Sequence, residues 1–142
     1  MKKEYTEEIR GFHTLWTAPY FTQNTSGTYN MQDYELLTMI LSALMWRKMN
    51  GPITLYGDER AIDYIHKNKI DHIWNGGIEE IKVPGEISPR VFWAAGKLFA
   101  LKRAQMPAVM VDLDLIVWKN IGSYIDGTDV SAIHREGIFP DV

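Results

Sequence analysis

An α/β fold, a mainly parallel sheet with helices on its faces, is what this sequence predicts, and three observations predict it. Short apolar runs alternate with longer stretches of helical periodicity, in the order strand, helix, strand, helix, strand, helix, strand. The last apolar run, Ala108 to Val111, is too continuously apolar for a half-exposed strand and reads as one buried on both faces. The chain of 142 residues, 46% hydrophobic and 12% aromatic, is long enough for one domain with a real core.

Phe12 to Ala18 reads as the first strand, and the polar loop Gln23 to Asn30 after it is either a connector or a cover over a ligand. Asp33 to Asn50 is the clearest helix. Leu37, Ile40, Leu41, Leu44, Met45 and Lys48 recur at spacings of three and four, and Asn50-Gly51-Pro52 stops the helix. The Met and Leu stripe is expected to face the core. Ile53 to Tyr56 is the second strand, and Gly57-Asp58 opens a short helix to about Asn68 that turns Ala61, Ile62 and Ile65 inward. Asp58, at the carboxyl end of a strand, is expected to cap that helix, with a ligand contact as the alternative.

Ile70 to Trp74 reads as a further short strand before a turn at Asn75-Gly76-Gly77. Ser88-Pro89 supplies a capping side chain followed by proline at the first helical position. The helix is expected to run to about Gln105, with Val91, Phe92, Ala95, Leu98, Phe99 and Lys102 on one side. Pro107 ends it before the strand Ala108 to Val111.

Charge and composition exclude several classes. A net charge of -3 from 15 basic and 18 acidic residues leaves no basic patch, which speaks against nucleic acid as the main partner. Without cysteine there is neither a disulfide framework nor thiol chemistry, and a structural zinc would rest on four scattered histidines. The first ten residues have a positive start but no apolar core behind it, so they do not read as a signal peptide. No window approaches the roughly 18 apolar residues that a membrane span needs, and the cytoplasm is the expected location.

The stretch richest in chemistry is Met-Val-Asp-Leu-Asp-Leu, where the last strand delivers two acids, Asp112 and Asp114. In an extended chain residues two apart point the same way, so both carboxylates would reach one point while Leu113 faces the other side. Two like charges that close cost stability unless a cation or strong donors sit between them. A hard divalent ion such as Mg2+ or Mn2+ prefers such oxygen ligands. In open α/β sheets ligands bind outside the carboxyl ends of strands, where Asp112 falls. The alternative reading is a pair of solvated acids at a strand end.

Four segments together carry a resemblance: His13-Thr14-Leu15-Trp16-Thr17 in the first strand, Leu55-Tyr56-Gly57-Asp58 after the long helix, Phe92-Trp93-Ala94-Ala95-Gly96-Lys97, and Val111-Asp112-Leu113-Asp114. In order and spacing they resemble the amino-terminal half of GT-A type nucleotide-sugar glycosyltransferases, in particular bacterial capsule or polysaccharide glycosyltransferase-like proteins with a Trp-x-x-Gly-Lys helix before the Asp-x-Asp strand. The likeness covers roughly residues 11 to 136. It implies a GT-A type, Rossmann-like sheet in which Asp112 and Asp114 hold Mn2+ or Mg2+ on the diphosphate of a UDP- or GDP-sugar. It also implies that Asp112 or Asp114 touches the ribose, that Lys97 approaches the donor, and that Trp16 and Thr17 line the base pocket. A helix-surface lysine is otherwise most often solvated, and a tryptophan in this place is equally at home in a core.

The chain departs from that pattern after the Asp-x-Asp. GT-A enzymes run on through an acceptor-binding region, whereas this sequence stops at Val142, so the resemblance implies one nucleotide-sugar-binding domain over residues 1–142, incomplete at its carboxyl end. The acceptor, a glycan or other group, is not identifiable, and no acceptor-side catalytic residue stands out. His134 and Glu136 are minor candidates for metal ligation or general base work, while His13, His66 and His72 read as structural. An uncovered sheet edge or apolar patch would favour a homo-oligomer. Two alternatives remain: a catalytically inactive remnant of the same fold, and a phosphatase of the haloacid dehalogenase type. That second class expects its Asp-x-Asp in the first strand followed by Gly-Thr, where Leu115-Ile116 follows here. Without a Gly-x-Gly-x-x-Gly or Gly-Lys-Ser/Thr loop, dinucleotide and P-loop readings fall away.

Overall fold

The computed structural model describes residues 8–25 and 27–133. Four strands form one sheet in the order β3-β2-β1-β4, every neighbouring pair parallel. They are β1 (Gly11–Leu15), β2 (Ile53–Gly57), β3 (Ile78–Glu80) and β4 (Val109–Met110). Between them lie α1 (Ala18–Phe21), α2 (Asp33–Met49), α3 (Glu59–Lys67) and α4 (Ala95–Arg103), and α5 (Gly122–Ile125) follows β4. This is the α/β, Rossmann-like arrangement of a parallel sheet with flanking helices.

The winding distributes the helices. The chain steps outward from β1 to β2 to β3 through α2 and α3, then returns past β1 to lay down β4 on the other side. Parallel crossovers of one hand therefore put α2 and α3 on one face and α4 on the other. Packing agrees: Met39, Ala43 and Trp46 of α2 and Ala61 and Ile65 of α3 share a core with Leu15, Ile53 and Leu55, whereas Ala100 of α4 packs with Phe12 and Tyr56. Odd and even residues of β1 face opposite layers, as strand alternation requires.

Four elements differ from the sequence reading. The run Ala108 to Val111 forms only the two-residue strand β4, half-buried at Val109 and exposed at Met110 instead of buried on both faces, because it lies at the edge of the sheet. The first strand stops at Leu15 rather than Ala18, because Pro19, with its fixed φ and missing N–H, starts the short helix α1. Ile70 to Trp74 is not a strand: Asp71–Ile73 forms a 3-10 turn, Ile73 and the following Trp74 are buried, and the strand follows the Asn75-Gly76-Gly77 turn. Residues 89–94 form successive turns, so α4 begins six residues later than Ser88-Pro89 suggests.

The helices also turn unexpected faces to the sheet. In α2 the buried residues are Met39, Ser42, Ala43 and Trp46, while Leu37 (66%), Leu41 (39%) and Leu44 (41%) stay exposed. In α4 Ala95, Gly96 and Ala100 are buried and Leu98 (52%) is exposed, as are Val91 and Phe92 before it. Both helices carry apolar residues on more than one side, and the side that faces the sheet is set by fit to the strand residues beneath it. Gly11 makes the point, since a Cβ there would come within 2.5 Å of the Trp46 ring. In α3, by contrast, Ala61 and Ile65 are buried and Ile62 half-buried, as its periodicity predicts.

Candidate functional site at the carboxyl ends of β1 and β4

Strand order reverses direction between β1 and β4, and the crevice outside such a switch point is where open α/β sheets bind ligands. The chain leaves β1 through Trp16 and Thr17 and leaves β4 through Val111 and Asp112, so these residues border the crevice. Alpha helix α4 contributes Lys97, whose ammonium forms a hydrogen-bonded ion pair with Asp112 Oδ1. Lys97 is also 5.7 Å from the centre of the Trp93 ring. The close seat of α4 depends on Gly96: a Cβ there would lie 2.6 Å from Trp16 Cβ and 3.0 Å from its Cγ. Trp16 is accordingly half-buried beneath the start of α4.

Asp112 and Asp114 are both exposed, but strand alternation does not relate them. Strand β4 ends at Met110, and the Leu115 N–H donates to the Asp112 carbonyl at 3.0 Å, closing a tight turn over residues 112–115. Leu113 packs against the core, as expected of the residue between the two acids. Asp114 has no hydrogen bond or ion pair among the described residues. Among those residues no group of three or more His, Asp or Glu side chains could hold a metal ion. Two exposed carboxylates still suit Mg2+ or Mn2+, which commonly keep waters and take one or two protein carboxylates together with substrate phosphates.

Thr17 and Asp58 meet at the adjoining strand end. The Thr17 backbone N–H and hydroxyl both donate to Asp58 Oδ2, at 2.9 and 2.8 Å, and the Ala61 N–H donates to Oδ1 at 3.0 Å. Asp58 therefore caps α3, as expected, and also ties the end of β1 to it. Trp16 lies toward α4 and Thr17 toward α3, so the structure forms two clusters here: Trp16 with Gly96, Lys97 and Asp112, and Thr17 with Asp58.

Beneath the crevice lies a polar chain that the sequence reading missed. Trp74 Nε1–H can only donate, and it reaches His13 Nδ1 at 3.2 Å. The proton of the neutral ring is then on Nε2, which donates to Ser42 Oγ at 3.0 Å, and the Ser42 hydroxyl donates to the Leu115 carbonyl. Leu115 is the residue after Asp114, so His13 at the centre of the sheet and Ser42 on α2 fix the turn that carries both acids. Burial lowers the His13 pKa from 6.5 to about 4, with the charge of Asp112 pulling the other way. Ser42 amid the apolar residues of α2 was the available signal. Farther along, Asn50 accepts from the Ile121 N–H at 2.9 Å and donates to the Lys119 carbonyl at 3.2 Å, pinning the segment after the turn.

Beside Trp93 a shallow, open cavity of about 490 Å³ is lined by Pro19, Thr22, Gln23, Pro89 and Arg90. Another, of about 180 Å³, lies beside Phe12, Thr54 and Tyr56 on the α4 face of the sheet and is lined by none of Trp16, Thr17, Asp58, Lys97, Asp112 and Asp114. His134 and Glu136 lie outside the described residues. No described helix is long and apolar enough to cross a membrane.

A family model described as a family of unknown function matches residues 9–137. No curated protein and no solved structure matches the chain.

Proposed function

The chain belongs to the DUF6734 family, whose function is unknown, and from the chemistry of its own site we propose that it binds a nucleoside diphosphate sugar, a UDP- or GDP-sugar, as the donor in metal-dependent glycosyl transfer. The observation that carries this reading is the Lys97–Asp112 pair at the switch point, with Asp114 free beside it. A cation and two carboxylates at one strand end suit a diphosphate that arrives with Mn2+ or Mg2+. Asp112 and Asp114 would hold the ion, and Lys97 would turn from Asp112 to a phosphate oxygen.

Glycosyl transfer breaks the bond between the anomeric carbon and the β-phosphate oxygen, and the electron pair leaves with the nucleoside diphosphate while an acceptor hydroxyl oxygen bonds to the carbon and gives up its proton to solvent. When bound, the ion supplies Lewis-acid neutralisation of that leaving charge. Lys97 adds a fixed positive charge in the same place, and such electrostatic stabilisation is commonly the largest catalytic contribution. Trp16, Thr17 and Asp58 serve by holding the crevice in shape: Trp16 seats α4, and Thr17 with Asp58 ties β1 to α3. The expected setting is the cytoplasm, where nucleotide sugars are available.

A binding module without transfer activity is the second reading. It needs the same Asp112, Asp114 and Lys97 but no residue that acts on an acceptor. Calorimetric titration of UDP and GDP into the purified chain, with and without Mn2+, tests the donor site. Metal-dependent binding that disappears in Asp112→Ala/Asp114→Ala, with the fold retained, supports it. Unchanged affinity in the double variant refutes it, and turnover of a donor sugar separates the two readings.

A further inference from the structure

Two tryptophans border the carboxyl end of β1, and their surroundings differ. Trp16 is half-buried, with its Cβ, Cγ and Cδ2 against Gly96 at the start of α4. Trp93 is 65% exposed and stands at the edge of the 490 Å³ cavity. The cavity is open to solvent, so a planar group can reach the exposed indole from outside. Pro19 and Pro89 stiffen the backbone of its lining, and Arg90 is held there by its bond to the Thr22 carbonyl, at 3.2 Å.

The lining contains an aromatic face, a guanidinium and the Gln23 amide, and no carboxylate. Lys97 adds a second cation 5.7 Å from the Trp93 ring, on the side that leads to Asp112. An exposed indole is costly to leave in water and binds planar π-faced groups without demanding a particular hydrogen-bond pattern. A negatively charged group joined to such a plane would satisfy Lys97 while the plane covers the indole. A nucleobase linked through ribose to a diphosphate has that construction.

We infer that Trp93 is the stacking platform for the base of the nucleotide, and that Trp16 is not. The inference rests on the proposed diphosphate site at Lys97, Asp112 and Asp114, and it assigns to a different tryptophan the base contact that the resemblance gave to Trp16. Gln23, in the same lining, carries the amide able to address the edge of a stacked base.

The test uses UDP, GDP and inorganic pyrophosphate as separate probes, each titrated with Mn2+ into the intact chain and its variants. Trp93→Ala is expected to weaken UDP and GDP about tenfold, the size of a lost base–aromatic stack, while pyrophosphate affinity stays unchanged. Trp93→Phe should recover most of the loss. Nucleotide affinities equal to wild type in Trp93→Ala overturn the inference while leaving the diphosphate site standing. An equal loss for pyrophosphate overturns it as well, because the change then reaches the phosphates and not the base. Wild-type protein that binds none of the three probes ends both readings.

Discussion

Thr17 donates twice to one oxygen of Asp58, from its backbone N–H and from its hydroxyl, at 2.9 and 2.8 Å. Thr17 is 1% exposed, so water cannot replace the partner it would lose. Asp58→Ala removes the cap of α3 and leaves both Thr17 donors unsatisfied, at an expected total of about 2–3 kcal/mol. Urea unfolding at neutral pH measures it. Asp58→Asn, which keeps a side-chain oxygen, should recover part of the loss, and an alanine variant as stable as wild type would contradict this account.

Gly96→Ala sets two effects against each other. Alanine is the better helix former by about 0.5–1 kcal/mol. Its Cβ would nevertheless meet Trp16 Cβ at 2.6 Å, and overpacking of this kind costs roughly 1–3 kcal/mol. The clash should win, giving net destabilisation and a displaced α4, with Trp fluorescence reporting the altered contact. A gain in melting temperature would mean that α4 moves aside without penalty.

His13 predicts an acid-sensitive fold. The unfolded chain takes up a proton below about pH 6.5, whereas the buried ring resists protonation until about pH 4. Its effect on stability is therefore absent above pH 6.5, grows as pH falls through that window, and levels off below it. Between pH 7 and pH 5 the wild type should lose about 2 kcal/mol more than His13→Gln, whatever their difference at pH 7. Parallel pH profiles for the two chains would show that the His13 ring does not drive the loss.

Lys97→Met should move two affinities in opposite directions. Lys97 and a divalent cation compete for Asp112, so removing the ammonium is expected to strengthen Mn2+ binding alone, by severalfold, while weakening Mn2+-dependent UDP or GDP binding. Stability should hardly change, because both side chains are partly exposed, at 32% and 53%. Isothermal titration of each ligand separates the effects. Joint weakening of metal and nucleotide would mean that Lys97 supports the turn instead of contesting its carboxylate.

Periodicity located the long helix α2 to within a residue or two but chose the wrong face of it. Leu37, Leu41 and Leu44 have the right spacing for a core stripe, yet Ser42, Ala43 and Trp46 lie against the sheet because Ser42 bonds His13 and Trp46 fits over Gly11. Apolar content cannot rank two apolar faces, and the deciding contacts reach other elements. The same holds for α4, where Gly96 and Ala100 pack inward and Leu98 does not. Asp112 was legible because it follows an apolar run, although that run forms only the short edge strand β4, and Asp58 because it stands just before a helix. Pairing of Lys97 with Asp112 followed from the resemblance only as proximity. The His13–Ser42–Leu115 chain joins residues 29 and 73 positions apart, a separation no local pattern reports.

The strand order has a temporal consequence. Gly11 pairs with Ile53 on one side and with Val109, about a hundred residues onward, on the other. A nascent chain that has emerged only as far as Arg103 holds β1, β2, β3 and α4, yet nothing with which Lys97 can pair. Parallel pairing over such distances is slow to form, because loop closure must precede the contacts that reward it. The crevice is thus born late, at the closing of β4 against β1, and a substitution that merely delays this step would lower the yield of competent protein while leaving the finished molecule unchanged.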